Sequence, residues 1–572
     1  MLTSRLASTS FVPAARAYAA ASRFQAGEGH ETAAAEQVEL AAYGGADRPP
    51  IGALNAGRRA LRGAFDNLPK MRADVIVVGA GSSGCVIGRR LSEQPDRAVL
   101  LLEAGPDYPA GREPRDLTDG RRNSMNDHDW GYRHKPNTKQ VVFRYPRGRV
   151  VGGSSAVNTC IALRGQPEDY DEWAEHVPEW SWAECLPAFK RLEHDLDFAD
   201  EFHGQSGPLP VRRHPPKEWV AWQAAFVEAC VELGFPRCAD SNRPGSHGVG
   251  AHAMNKIDGR RISVAAAYLS AEVRARQNFA VHADTLVRRV LVKNHRVSGL
   301  EVQHAGGVEV WQTPRVVLCA GAVNTPSILL RSGIGPRAEV ARIGCELVAD
   351  LPAIGRRLLD HPGAAIFLRP RLFAPTSRHD PLIQTVLRYS SGPEHTSDML
   401  LQPGSKLTFP NFDAPLVSIM CAVGKPRGTG VLHWTSADPR ARPVIRSQLL
   451  EDAHDRALAV AAMQLAHRLS QTPAMRALAV PFWPSPRVLR DRARTDAWIP
   501  RACDSGYHPS GTAPMGHNPE VAATDERGRV FGVAGLYVGD ASLMPTIPSS
   551  NIHLATLMIG ERIGAWLRDE LA

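Results

Sequence analysis

No run of apolar residues in this 572-residue chain approaches the ~18 that would read as a membrane-spanning helix. Its nine cysteines are an odd number with no C-x-x-C pair, which excludes a disulfide framework and a zinc ribbon and predicts reduced, mostly buried thiols. There is no H-E-x-x-H helix and no clustered set of Cys and His ligands, so no metal site is expected. There is no G-x-S-x-G turn either, which excludes the common serine-hydrolase elbow. Basic residues give a net charge of +8 but never gather into a block, so they read as a solvated surface and not as a nucleic-acid groove. Acidic residues are missing from the start: none precedes Glu28, while Arg5, Arg16 and Arg23 stand among many Ala and Ser. That composition is transit-peptide-like and implies a mitochondrial destination. The competing expectation is a start at Met71 and a cytoplasmic protein, with residues 1–70 an unstructured extension. What remains, 43% hydrophobic and 22% charged, is ordinary globular composition with length for two or more domains.

The most informative stretch runs from Asp74 to Glu103. An apolar run, Val75 to Val78, meets Gly79-Ala80-Gly81-Ser82-Ser83-Gly84, then a helix-compatible segment, then a second apolar run ending in an acid. This is strand, glycine turn, helix and strand, the pattern that binds a dinucleotide. Gly79 takes the tight turn, Gly81 lets the backbone approach a pyrophosphate, and Gly84 with Gly88 brings the helix close to the sheet. Ser82 and Ser83 open the helix whose N-terminus faces the phosphates. Glu103, 19 residues beyond Gly84, is placed to accept hydrogen bonds from a ribose diol and to repel a 2′-phosphate. These residues alone leave NAD and FAD both open.

Further on, Gly148 to Asn158 reads GRVVGGSSAVN, a backbone of small residues suited to lying against a flat or anionic ligand. It resembles the first signature of the glucose-methanol-choline (GMC) family of FAD-dependent oxidoreductases. Gly321 to Gly335 resembles the second signature over its full length, and Gly355 to His361 resembles the GxNLxDH motif with Arg357 in place of the usual Asn. Tyr507 to Gly516 resembles HPxGTxxMG, and Gly539-Asp540-Ala541-Ser542 resembles a late cofactor-binding turn. The resemblance, choline-dehydrogenase-like, covers about residues 71–570.

That resemblance implies an α/β fold with an α+β second domain. The Rossmann-type FAD-binding domain is assembled from discontinuous segments, 71–361 and 500–572, with inserted substrate-domain elements around 165–250. A sheet-based substrate domain occupies 362–499. Within these, Phe279 to His282 and Leu286 to Val292 alternate as a β-hairpin region would, and Asp452 to Ser470 reads as an amphipathic helix. The implied cofactor contacts are Gly79, Gly81, Ser82, Ser83, Gly84, Glu103, Gly152, Asn158, Val287, Asp540 and Ala541. Val157 stands where some choline-oxidising relatives attach FAD through a histidine, so noncovalent FAD is expected.

The implied reaction oxidises the CH–OH group of an alcohol to an aldehyde or ketone. His508 is expected as the base, since an imidazole titrates near neutral pH. Spacing to Met558-Ile559-Gly560-Glu561-Arg562 places His553 as its partner, with the alternative that Asn551 does this work and His553 caps the last helix. His361 reads as a loop residue near the cofactor. Two other readings stand beside this one. A photodecarboxylase branch of the family uses a cysteine where this chain has Gly424 and lacks the histidine motif, and a non-catalytic flavoprotein would have lost His508 or His553. The partners expected are a small alcohol and an electron acceptor, whether oxygen, a quinone or another. Choline would call for an aromatic cage and a carboxylate, which the sequence does not locate.

Overall fold

The computed structural model describes residues 73–408 and 412–570, so the leader at 1–70 lies outside the described residues. Strand β1 (Val75–Val78), helix α1 (Ser82–Leu91) and strand β2 (Val99–Leu102) form the expected unit, and all eight strand residues are buried. Such continuous apolar runs belong to a parallel sheet covered on both faces.

In chain order there follow α2 (Ala221–Glu232), β3 (Gly248–Ala251), β4 (Phe279–His282), β5 (Leu286–Lys293), β6 (Arg296–His304), β7 (Gly307–Gln312), β8 (Val316–Leu318) and α3 (Gly321–Arg331). The second half supplies β9 (Pro362–Pro370), β10 (Thr385–Tyr389), β11 (Met399–Gly404), β12 (Val417–Val423), α4 (Ala453–Ser470), β13 (Ala479–Trp483), β14 (Asp504–Ser505), β15 (Leu536–Val538) and α5 (His553–Glu570).

The first sheet has the order β4-β2-β1-β8-β15, every pairing parallel. The chain leaves β1 to one side toward β2 and later fills the other side with β8, so the C-terminal end of β1 is a switch point where a ligand crevice opens. The first and last helices are joined by charge: Arg90 donates from Nε and Nη2 to the two oxygens of Glu561, at 2.7 and 3.0 Å. Glu561 is fully buried and also accepts from Tyr268 Oη at 2.8 Å. Residues 279–293 differ from the expected hairpin. Phe279 to His282 is the parallel edge strand β4 beside β2, whereas β5 pairs antiparallel with β6, which pairs with β7.

The second large sheet has the order β13-β9-β12-β11-β10-β3, with β14 joined to the start of β9. Side chains alternate across it with period two. One face, with Ile366, Leu368, Leu401, Val417, Ile419 and Cys421, buries against α4 and α2. Asp452 caps α4 by accepting from the N–H groups of His454 and Asp455. The opposite face looks into the crevice.

Candidate functional site

One cavity of about 560 Å³ runs from the glycine turn after β1 to the face of the second sheet. At its deep end, Gly79 has φ +100°, and a Cβ on it would lie 2.5 Å from the Cys319 carbonyl oxygen, so only glycine makes this turn. A Cβ on Gly84 would lie 1.9 Å from the Gly79 oxygen, which shows how closely α1 approaches β1. Gly81 is different. A Cβ there would meet nothing nearer than 3.9 Å, so its open side faces the cavity beside the N-terminus of α1. Ser82 and Ser83 line the same space. Gly152 has φ +106° and donates its N–H to the Ala80 oxygen at 2.7 Å, folding the second small-residue segment over the first.

Glu103 is 6% exposed and accepts the N–H groups of Ala80 (3.1 Å) and Gly105 (2.9 Å). Burial raises its carboxyl to about 7, against the lowering by those N–H groups and by Arg149. Each carboxylate oxygen keeps a further lone pair for hydroxyl donors. Val287 lines the cavity near Glu103 from β5. Asn158 accepts the Cys160 N–H at 2.9 Å through Oδ1 and also lines the cavity. Asp540 has a different part: it accepts from Gly321 N, Thr325 Oγ1, Ser542 N and Ser542 Oγ, locking the late turn to α3. Ala541 accepts the Gly511 N–H through its carbonyl, tying that turn to the histidine loop. Sequence reasoning missed Trp130 and Tyr132, which stack at 5.9 Å and line the same end. Tyr132 Oη donates to Asn324 Oδ1 at 2.5 Å. Asn324 stands inside the second signature segment, and that was the signal available.

At the other end sits His508. Its loop is fixed by the buried Asp360 carboxylate, which accepts the His508 N–H at 2.9 Å and the hydroxyls of Tyr145 and Ser505 at 2.5 Å. The imidazole Nδ1 lies 2.8 Å from Nδ1 of His361, and Nε2 lies 3.0 Å from Nδ2 of Asn551. The proton positions follow from the acceptors. His361 Nε2 is 3.0 Å from two carbonyl oxygens, those of Gly424 and Pro548. Carbonyls only accept, so His361 carries its hydrogen on Nε2 and accepts at Nδ1. His508 then donates from Nδ1 and presents a lone pair at Nε2, where the Asn551 amide donates. Burial above all, then His361 and Arg147, hold His508 well below the usual imidazole range, so it is neutral.

The pairing differs from the expected one. Asn551, not His553, is bonded to His508. His553 opens α5 and lines the cavity, but its Nε2 has no hydrogen-bond partner among the described residues, and burial lowers it to about 4. The reason is helical phase. Counting back from the helical residues 558–562 reaches His553 while the chain is still helical, but Asn551 lies in the non-helical lead, where side-chain direction no longer follows that count. His361, expected merely near the cofactor, touches the imidazole itself.

The cavity fits FAD by these observations: an open glycine face at a helix N-terminus, a buried acid with free lone pairs, and a neutral imidazole at the far end. The chain matches the GMC oxidoreductase family in both parts, N-terminal over residues 73–363 and C-terminal over 426–560. It is 34% identical to 5-(hydroxymethyl)furfural oxidase of Methylovorus sp. (strain MP688), over 86% of this chain and 97% of that one. It is 32% identical to the mitochondrial choline dehydrogenase of Homo sapiens, over 88% and 91%. The crystal structure of pyridoxine 4-oxidase from Mesorbium loti superposes with a TM-score of 0.80 at 29% identity, covering 86% of this chain and 99% of that one. The fold, the two-part cavity and these matches agree: the chain belongs to the GMC oxidoreductases, FAD-dependent enzymes acting on alcohol groups.

Proposed function

We propose that this enzyme oxidises an alcohol carbon with His508 as the base that accepts the hydroxyl proton. The observation that carries this is the fixed tautomer: with its Nδ1–H held by His361, the acceptor nitrogen of His508 is Nε2, which the Asn551 amide meets at 3.0 Å. Bound FAD supplies the acceptor for the hydride that leaves the carbon. The substrate hydroxyl takes the place of the Asn551 amide on the single lone pair of His508 Nε2, and its oxygen accepts that amide's N–H in turn, which stabilises negative charge as the proton departs. This gives Asn551 the orienting part expected of His553. Glu103, the N-terminus of α1 with Gly81, Asn158 and Val287 would hold FAD, Glu103 by accepting from its ribose hydroxyls and the α1 N-terminus by facing its phosphates.

FAD is held noncovalently, because Val157 offers no atom for a tether. The photodecarboxylase reading is disfavoured by packing: a Cβ on Gly424 would lie 2.7 Å from the Asp398 oxygen and 3.1 Å from that of Ser549, leaving no room for a cysteine. The test is anaerobic mixing of the yellow holoenzyme with a panel of primary alcohols. Flavin bleaching by at least one alcohol, and FAD released into the supernatant on acid precipitation, are expected. Flavin retained in the precipitate contradicts noncovalent binding, and a panel that leaves the flavin oxidised contradicts alcohol oxidation. Readmitting oxygen to the bleached enzyme sorts an oxidase from a dehydrogenase.

A further inference from the structure

The cavity-facing side of the second sheet is ordered in rows by its register. His361, which reaches the Gly424 oxygen, marks the row of the base. The next row is Gly363, Ala422 and Leu400, and the one beyond it is Ala365, Met420 and Gln402. Phe367, Ser418 and Gly404 follow, with Trp483 against Phe367. Rows are about 7 Å apart, two residues along a strand. Small residues nearest the base leave room for a carbon skeleton lying flat on the sheet, and polarity then rises along β11: Leu400, Gln402, Gly404, and Lys406 just past its end.

Gln402 is held from behind. Its Nε2 donates to Nε2 of the fully buried His252 at 3.3 Å, which uses one N–H and leaves a second for the cavity. Burial, with Arg388 and Lys256, keeps His252 neutral down to about 3, so it remains an acceptor. The Lys406 ammonium donates to the Arg378 oxygen (3.2 Å) and to Asp413 (2.9 Å), and has a third N–H to give. Asp413 is shared with Arg122 at 3.6 Å, and the Lys406 charge is also felt by Asp119, which holds Arg121 at 2.9 Å. Asp504, which pairs with Gly363 and lines the cavity, has its oxygens on His134 and Tyr507.

We propose that the substrate is an alcohol carrying a distal carbonyl or carboxylate oxygen, with its skeleton flat on the Gly363–Ala422 row and that oxygen taken by Gln402 and Lys406. This rests on the alcohol-oxidation reading and adds the substrate class and the residues that select it. A quaternary ammonium at that end is disfavoured, since its charge would meet Lys406.

The test compares three para-substituted benzyl alcohols with the holoenzyme: unsubstituted, 4-carboxylate and 4-trimethylammonium. The 4-carboxylate should exceed benzyl alcohol in kcat/KM by about ten-fold or more, the range for a hydrogen bond to a charged group, and the cation should be poorest. Gln402→Leu and Lys406→Met should each bring the carboxylate-to-unsubstituted ratio down several-fold, mainly through KM. A cation that is the best substrate, or a ratio unmoved by both substitutions, overturns the proposal. A second readout needs no turnover: terephthalate binding to the oxidised enzyme, followed by perturbation of the flavin spectrum, should weaken about ten-fold in Gln402→Leu. Unchanged terephthalate affinity in a variant that still oxidises benzyl alcohol overturns this inference alone, whereas a wild-type enzyme that oxidises none of the three alcohols overturns the alcohol-oxidation reading.

Discussion

At the scale of single residues, the chemistry turns on which atom of His508 carries hydrogen. Two backbone carbonyls settle that through His361, two bonds away from the substrate. Because burial has already lowered His508 well below its ordinary range, the base is deprotonated through neutral pH. The rate of anaerobic flavin reduction should therefore be flat above about pH 6.5, the unperturbed value, and fall only as pH drops toward the depressed pKa. A profile still rising steeply at pH 8 would contradict a neutral, buried base. In the same measurement Asn551→Ala should slow reduction by about 10²–10³-fold, the range for losing one donor to a developing oxyanion. His553→Ala should cost much less, since its imidazole makes no hydrogen bond to His508. The reverse order would restore His553 to the partner's place.

At the scale of elements, α1 and α5 come from opposite ends of the described chain and are held by Arg90 and Glu561. Without Glu561, Arg90 keeps Glu93 at 2.7 Å, so the loss falls below the ~3–5 kcal/mol of an isolated buried pair, at about 1–3 kcal/mol. Glu561→Ala should lower unfolding free energy by that amount in denaturant titration and loosen FAD, because α1 carries the phosphate-facing N-terminus. An unchanged denaturation midpoint would show that helix packing alone holds the two ends. The strand-turn-helix-strand unit at 74–103 was legible because its apolar runs, glycines and terminal acid are all local. β4 was not. It is an edge strand buried mainly at Phe279, so its sequence alternates like a hairpin arm, while its true partner β2 is far away along the chain. His508 was legible through its motif, whereas its contacts with His361 and Asn551 depend on chain folding that no local pattern encodes. The ordered face of the second sheet was illegible for the same reason, because only register puts Gln402 beside Met420 and Ala365.

At the scale of the whole molecule, a parallel sheet and an antiparallel sheet enclose one cavity, and neutral histidines surround it, His252 and His361 buried and His508 and His553 half-buried. Folded His252 and His553 have values lowered to about 3 and about 4. An unfolded chain takes up protons on both near pH ~6.5, so stability is lost as pH falls from there toward the folded values. His203 works the other way: burial pulls it down, but hydrogen bonds to Asp195, Asp240 and Glu193 lift it to about 11, so its contribution is full below ~6.5, declines as pH rises from there and is gone above 11. The melting temperature should fall steadily between about pH 6.5 and 4, and His553→Phe should flatten part of that fall. A melting temperature constant over that range would contradict burial of these histidines in their neutral form. The account's central claim is tested most directly by stopped-flow flavin reduction in His508→Ala, loaded with FAD and mixed anaerobically with a working alcohol. Loss of a positioned general base predicts full FAD content and reduction slower by about 10²–10⁴-fold, with the pH dependence gone. Reduction at a near-wild-type rate would contradict it and move the proton to another group.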